Sequence, residues 1–200
     1  MYYEKMEDRT VLKRREKKKV AEENLPQDPK SKLKRLFKGW ILPFGIEIIV
    51  ILLLIKFVFF FSFVPTGSMI PTIAEKSWLF ALHTHNIEET AKRGDILVFR
   101  NDETGQTLIK RLIGLPGEFI EIRDGVVYVD GEMLEEDYVV FPSYENRTFQ
   151  VPEGEFLFFG DNRKGSYDAR MWNDPYIPAK NVKGRAVFTL FPLRNFGVLR

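Results

Sequence analysis

The run from Trp40 to Val64, WILPFGIEIIVILLLIKFVFFFSFV, constrains this chain more than any other stretch: 25 residues interrupted by charge only at Glu47 and Lys56. A hydrocarbon core of about 30 Å is crossed by about 20 helical residues. The pattern predicts a membrane-spanning helix over roughly 38–55, with the aromatic stretch Phe57–Phe63 beginning an extended strand at the interface. Lys56, near the outer end, can carry its ammonium out to the headgroups, whereas Glu47 has no evident partner. No small-residue cleavage site follows the run and the segment before it is long, which favours an uncleaved anchor over a removable leader.

Charge gives the anchor a direction. Residues 1–40 hold 13 Lys/Arg against 7 Asp/Glu, and the remaining 160 hold 17 against 21, so a tail of +6 precedes a body of −4. Basic residues ahead of a span favour a cytoplasmic N-terminus and an exported body. A basic tail also suits nucleic acid, but its interspersed acids and the apolar run behind it argue against that partner. Pro26 and Pro29 break any helix between the basic clusters. The expected organisation is a basic cytoplasmic tail over 1–39, a transmembrane anchor over 40–58 and an extracytoplasmic body over 59–200.

With no cysteine in the chain, disulfide frameworks and thiolate catalysis are excluded. His83 and His85 are its only imidazoles and share a strand face, too few ligands for a zinc site and neither beside a convincing nucleophile. No metal or organic cofactor is expected.

Beyond Pro65 the apolar residues fall into short runs: Trp78–Leu82, Ile96–Arg100, Leu108–Ile113, Phe119–Arg123, Val126–Val129, Phe156–Phe159 and Val182–Leu190. Asp124-Gly125 and Asp130-Gly131 each supply a two-residue hairpin turn. Residues 135–150 read as a loop or small cap. The expected fold is mainly β, a compact β-barrel-like domain behind a single N-terminal transmembrane helix.

Three stretches carry chemistry. In Val64-Pro65-Thr66-Gly67-Ser68-Met69-Ile70-Pro71-Thr72, two prolines restrict the backbone on either side of Ser68 while Gly67 permits a tight turn, either as an ordinary turn or as a mount for a nucleophile. In Thr107–Gly117, TLIKRLIGLPG, strand alternation puts Lys110 and Arg111 on opposite faces, so at least one cation lies on a partly buried face. Either Lys110 is an edge-strand lysine that discourages aggregation, or burial depresses its pKa until the neutral amine can take a serine proton. The Ser68 N–H and the Thr66 hydroxyl are candidate donors to an oxyanion. In Gly160–Arg170, GDNRKGSYDAR, Ser166 is a candidate to orient the Lys110 amine. Asp161 with Arg111, and Asp168 with Arg170, are candidate ion pairs, since a free carboxylate against Lys110 would raise its pKa and spoil the base.

Together these blocks resemble the bacterial type I signal peptidases, or leader peptidases. VPTGSMIPTI resembles that family's serine box, RGDILVF a structural box, TLIKRLIGLPGE its lysine box and GDNRKGSYDAR the box that closes the site. The resemblance runs from Val64 to Trp172 and continues weakly beyond. It implies a membrane-bound serine endopeptidase of the compact form, with Ser68 as nucleophile, Lys110 as general base, Thr66 in the oxyanion hole and Ser166 orienting the lysine. It implies signal-peptide-bearing preproteins as substrates, cut after small residues of the Ala-X-Ala type, on the outer side of the plasma membrane; no oligomer is expected. Ala169 and Gly165 depart from the family, which commonly has a second serine and a polar residue there. Two other readings share some of these features: an anchored β-domain that binds without catalysis, and a cytosolic self-cleaving Ser/Lys repressor, against which the apolar span argues.

Overall fold

A computed structural model describes residues 14–18 and 37–199. The expected basic tail lies largely outside these residues. Residues 14–18 form a helical turn, α1, and a π-helical turn at Phe37–Ile41 leads into α2, Leu42–Phe57. Helix α2 is apolar except for Glu47 and Lys56, has no single apolar stripe, and none of its residues is buried. Residues Gly39–Phe57 are long and apolar enough to cross a membrane. The helix stops two residues beyond the predicted end, and the strand that follows starts at Phe59.

The body beyond it is β. Strands β1 (Phe59–Val64), β2 (Ser77–His83), β3 (Ile96–Arg100), β4 (Thr107–Gly114), β9 (Glu155–Phe159), β10 (Tyr176–Pro178) and β11 (Val182–Phe191) form one sheet in the order β1-β2-β11-β3-β4-β9-β10, and β12 (Gly197–Val198) pairs with β11. This path curls into a half-barrel. A second sheet runs β7-β6-β5-β8, from β5 (Phe119–Arg123), β6 (Val126–Val129), β7 (Glu132–Met133) and β8 (Arg147–Gln150). A single helical turn, α3 (Ile87–Thr90), joins β2 to β3.

Asp124, Gly125, Asp130 and Gly131 all have positive φ, the conformation that a hairpin turn matching strand twist requires at both central positions. They set the β5–β6–β7 meander in register, Ile120 opposite Val129 and Tyr128 opposite Met133. Residues 147–150, expected in a loop, are instead strand β8, paired along β5 with Phe149 opposite Ile120. Only Phe149 of its four residues is buried, so the strand is made by pairing and leaves almost no alternation in sequence.

Two apolar clusters hold the body together. The larger packs Ile120, Ile122, Val127 and Phe149 of the small sheet with Leu97, Phe99, Leu112, Phe156 and Phe158 of the large one. The smaller gathers Val64, Met69, Ile73, Leu79, Val98 and Ile109. Met69 and Ile73 are fully buried there, each worth about 1.5–3 kcal/mol of transfer free energy, and so anchor the turn that carries Ser68.

Candidate active site

Strand β4 is buried on both faces. Lys110, opposite Leu97, is 4% exposed and Arg111, opposite Ile96, 2%. The aggregation-guard reading of Lys110 needed an exposed edge; β4 instead lies between β3 and β9. Two adjacent cations can be buried only if each is managed differently. Arg111 is neutralised: Nε and Nη2 donate to Asp161 at 2.9 and 2.7 Å, Nη1 donates to the Gly94 carbonyl at 2.8 Å, and the guanidinium lies 3.9 Å from the Tyr138 ring centroid.

Lys110 is instead made easier to deprotonate. Burial pushes its amine down from 10.5 to about 8, while Asp168 pulls it up, Arg170 pushes it further down and Asp161 pulls it up more weakly. Desolvation wins because the nearby acids are paired. Arg170 Nε and Nη2 donate to the two oxygens of Asp168 at 2.8 Å each, and the Gly160 N–H donates to that carboxylate at 2.8 Å.

Ser68 is 7% exposed. The Thr66 hydroxyl donates to Ser68 Oγ at 3.4 Å, and the Ser68 carbonyl accepts from the Asn162 N–H at 3.0 Å. Ser166 Oγ is buried with no hydrogen-bond partner among the described residues. A hydroxyl left bare in a dry site costs about 1–3 kcal/mol, and the expected hydrogen bond from Ser166 to the Lys110 amine is not made. Gly160 is the crossing point: a Cβ added there would lie 2.2 Å from Ser166 Oγ and 2.5 Å from the Ser68 carbonyl oxygen. The Ser166 hydroxyl and the Ser68 main chain therefore both crowd the space where a Gly160 side chain would sit.

Gly160→Ala is accordingly expected to cost about 1–3 kcal/mol of stability, read by urea denaturation. Wild-type stability in that variant would mean that the crossing has slack.

The predicted site residues thus meet around residues 160–170: Arg111 with Asp161, Asp168 with Arg170, Ser166 and Ser68 at Gly160, and Lys110 within electrostatic reach of Asp168, Arg170 and Asp161. Other residues were not singled out from the sequence. Glu136 pairs with Arg163, whose Nε holds the Gly160 carbonyl at 3.1 Å. Glu145 and Ser143 take Arg170 Nη1. Thr72 donates to Asp161. The acids come from a loop with no periodicity, and only the fold shows which arginines they face. Ala169 is wholly buried in the larger core, which favours its apolar side chain. A Cβ at Gly165 would meet Asn162 Nδ2 at 2.7 Å, so the glycine there leaves room for that amide.

The described residues thus place a buried serine that accepts from the Thr66 hydroxyl and a buried lysine of lowered pKa in one body, the residue types of a serine hydrolase. Residues 37–191 match the family "Signal peptidase, peptidase S26". The chain is 35% identical to a signal peptidase I of Leptolyngbya laminosa over 78% of its own length and 80% of the relative's. It is 34% identical to a probable signal peptidase I-1 of Synechocystis, over 77% and 82%. A solved signal peptidase I of Enterococcus faecalis is similar at 34% identity, covering 47% of this chain and 94% of that one, with a TM-score of 0.43. The chain belongs to the signal peptidase family, the S26 serine peptidases.

Proposed function

We propose that this protein removes signal peptides from exported preproteins by a Ser68–Lys110 dyad, cutting after small residues in sites of the Ala-X-Ala type. Neutral Lys110 takes the Ser68 proton as Oγ attacks the scissile carbonyl. The oxyanion is met by the Ser68 N–H and the Thr66 hydroxyl. Collapse breaks the C–N bond and the Lys110 ammonium returns the proton to the departing amine, leaving the signal peptide esterified to Ser68. Water, deprotonated by the same amine, then attacks the ester, and the proton goes back to Ser68 Oγ as the acid leaves. The Ser166 hydroxyl orients the lysine through both halves. The observation that carries this reading is a buried lysine with a pKa of about 8 in a site whose carboxylates are already paired.

The reaction belongs at a membrane surface, with the N-terminus cytoplasmic, the helix spanning and the body outside. Besides the apolar helix, Phe61 and Phe63 on β1, Trp78 on β2, Phe191 on β11, Phe196, and Val198 on β12 are exposed, large apolar side chains that suit the interface between lipid and water.

Cleavage of an Ala-X-Ala preprotein by detergent-solubilised protein tests the proposal. Wild type should cut at that site, Ser68→Ala should not, and kcat/KM should rise with pH through about 8, because the active lysine is the deprotonated one. Cleavage by folded Ser68→Ala, or a rate that falls as pH rises through that value, would remove the dyad.

A further inference from the structure

Resting on the reading of Ser68 as nucleophile, we infer that Asn162 is a positioning residue that holds the oxyanion donor in place by pinning both peptide planes on either side of the Ser68 Cα.

The geometry is specific. Asn162 Nδ2 donates to the Gly67 carbonyl at 3.1 Å, and the Asn162 backbone N–H donates to the Ser68 carbonyl at 3.0 Å. Each carbonyl belongs to a rigid peptide unit. The Gly67 carbonyl shares its plane with the Ser68 N–H, and in a trans peptide the two point in opposite directions. Fixing the carbonyl therefore fixes where the Ser68 N–H aims. That N–H donates to no group among the described residues, which leaves it free for a developing negative charge. A donor aimed at an oxyanion in advance of the reaction avoids reorganisation when the charge appears, and a hydrogen bond accepted by the carbonyl polarises the amide and strengthens its N–H as a donor.

Asn162 is itself held. Its Oδ1 accepts from the Gly165 N–H at 3.0 Å, which fixes the amide plane and its Nδ2. Ser68 is thus tied to the following loop by one residue through side chain and main chain together. The Ile70 N–H also donates to the Gly67 carbonyl, at 3.2 Å, but it belongs to the same turn and moves with it; Asn162 ties the turn to a different part of the fold.

The test uses the full chain in detergent with an Ala-X-Ala peptide as substrate and a peptide aldehyde of the same sequence, whose hemiacetal with Ser68 places an oxygen where the oxyanion forms. Asn162→Ala removes both side-chain bonds. Asn162→Asp keeps the acceptor for Gly165, replaces the donor to Gly67 by an acceptor and adds a negative charge. In both variants kcat is expected to fall about 10- to 100-fold with KM within about twofold, and aldehyde affinity to fall in parallel with kcat/KM. The inference is overturned if kcat is unchanged, if Asn162→Asp keeps wild-type kcat, if KM rises as much as kcat falls, or if both variants fail to fold. Each of the last three outcomes would leave Asn162 a purely structural residue. Wild type and Ser68→Ala run alongside: a wild type that does not cleave, or a serine variant that does, sinks the dyad itself and not the role of Asn162.

Discussion

Lys110→Met is expected to abolish cleavage and to make the protein more stable. A thioether chain fills the space of the butylamine without a charge to desolvate, so the base is lost while the site stays packed. Loss of a general base that also activates the nucleophile should lower kcat/KM by about 10,000-fold. On the stability side, a lysine held at about 8 instead of 10.5 destabilises the fold, by about 3 kcal/mol at neutral pH, since each pKa unit is worth 1.36 kcal/mol. The sign follows from linkage: the unfolded chain binds more protons than the native one between those values, so the cost is fully present below about 8 and fades as pH rises through 10.5. The gain in the variant should be about 1–3 kcal/mol by urea denaturation at pH 7 and should vanish near pH 11. A folded but less stable Lys110→Met would mean that the amine is charged and well partnered in the native state, contrary to the proposed base.

Arg170→Ala should behave in the opposite manner, losing stability first. Its guanidinium satisfies both oxygens of the fully buried Asp168, donates to the Arg163 carbonyl at 2.8 Å and contacts Ser143 and Glu145. Removing one member of a buried pair leaves an uncompensated charge and costs about 3–5 kcal/mol, a large share of a typical domain's 5–15. A second effect follows through Lys110. Arg170 pushes its pKa down and Asp168 pulls it up, so losing the arginine both removes a depressing charge and frees an elevating one. In any folded fraction the acidic limb of kcat/KM should move to higher pH. Arg170→Lys restores charge without the two-pronged geometry and should recover part of the pH shift but little of the stability. An unshifted limb in folded Arg170→Ala would show that the pair is structural alone.

The chemistry of the site was more legible in the sequence than its support. Spacing and turn chemistry located Ile96–Arg100, Phe119–Arg123 and Val126–Val129 to the residue, because strands with one buried face and a fixed hairpin register leave a clear pattern. Strand β8 left none, since a single buried phenylalanine makes no alternation. The short strands β10 and β12 are likewise products of pairing. In the site, electrostatic logic alone required arginine partners for Asp161 and Asp168, and local parity put Lys110 and Arg111 on opposite faces of β4. Parity did not foretell that both faces are buried, which depends on partners distant in sequence, such as Asp161, 50 positions from Arg111. The braces from Glu136 and Glu145 were invisible for the same reason: their partners are separated by 27 and 25 positions and share no motif.

The double burial of β4 also means that what distinguishes Lys110 from Arg111 is word order. Transposing these two letters would leave composition, net charge and mean hydropathy untouched, and any profile built on them blind to the change. Yet it would seat a guanidinium that never gives up its proton in the chamber meant for a titratable amine, and hand Asp161 a single-pronged partner. On the proposed reading, activity thus depends on the order of two neighbouring letters in one strand, and its most damaging lesion need not alter a single residue count.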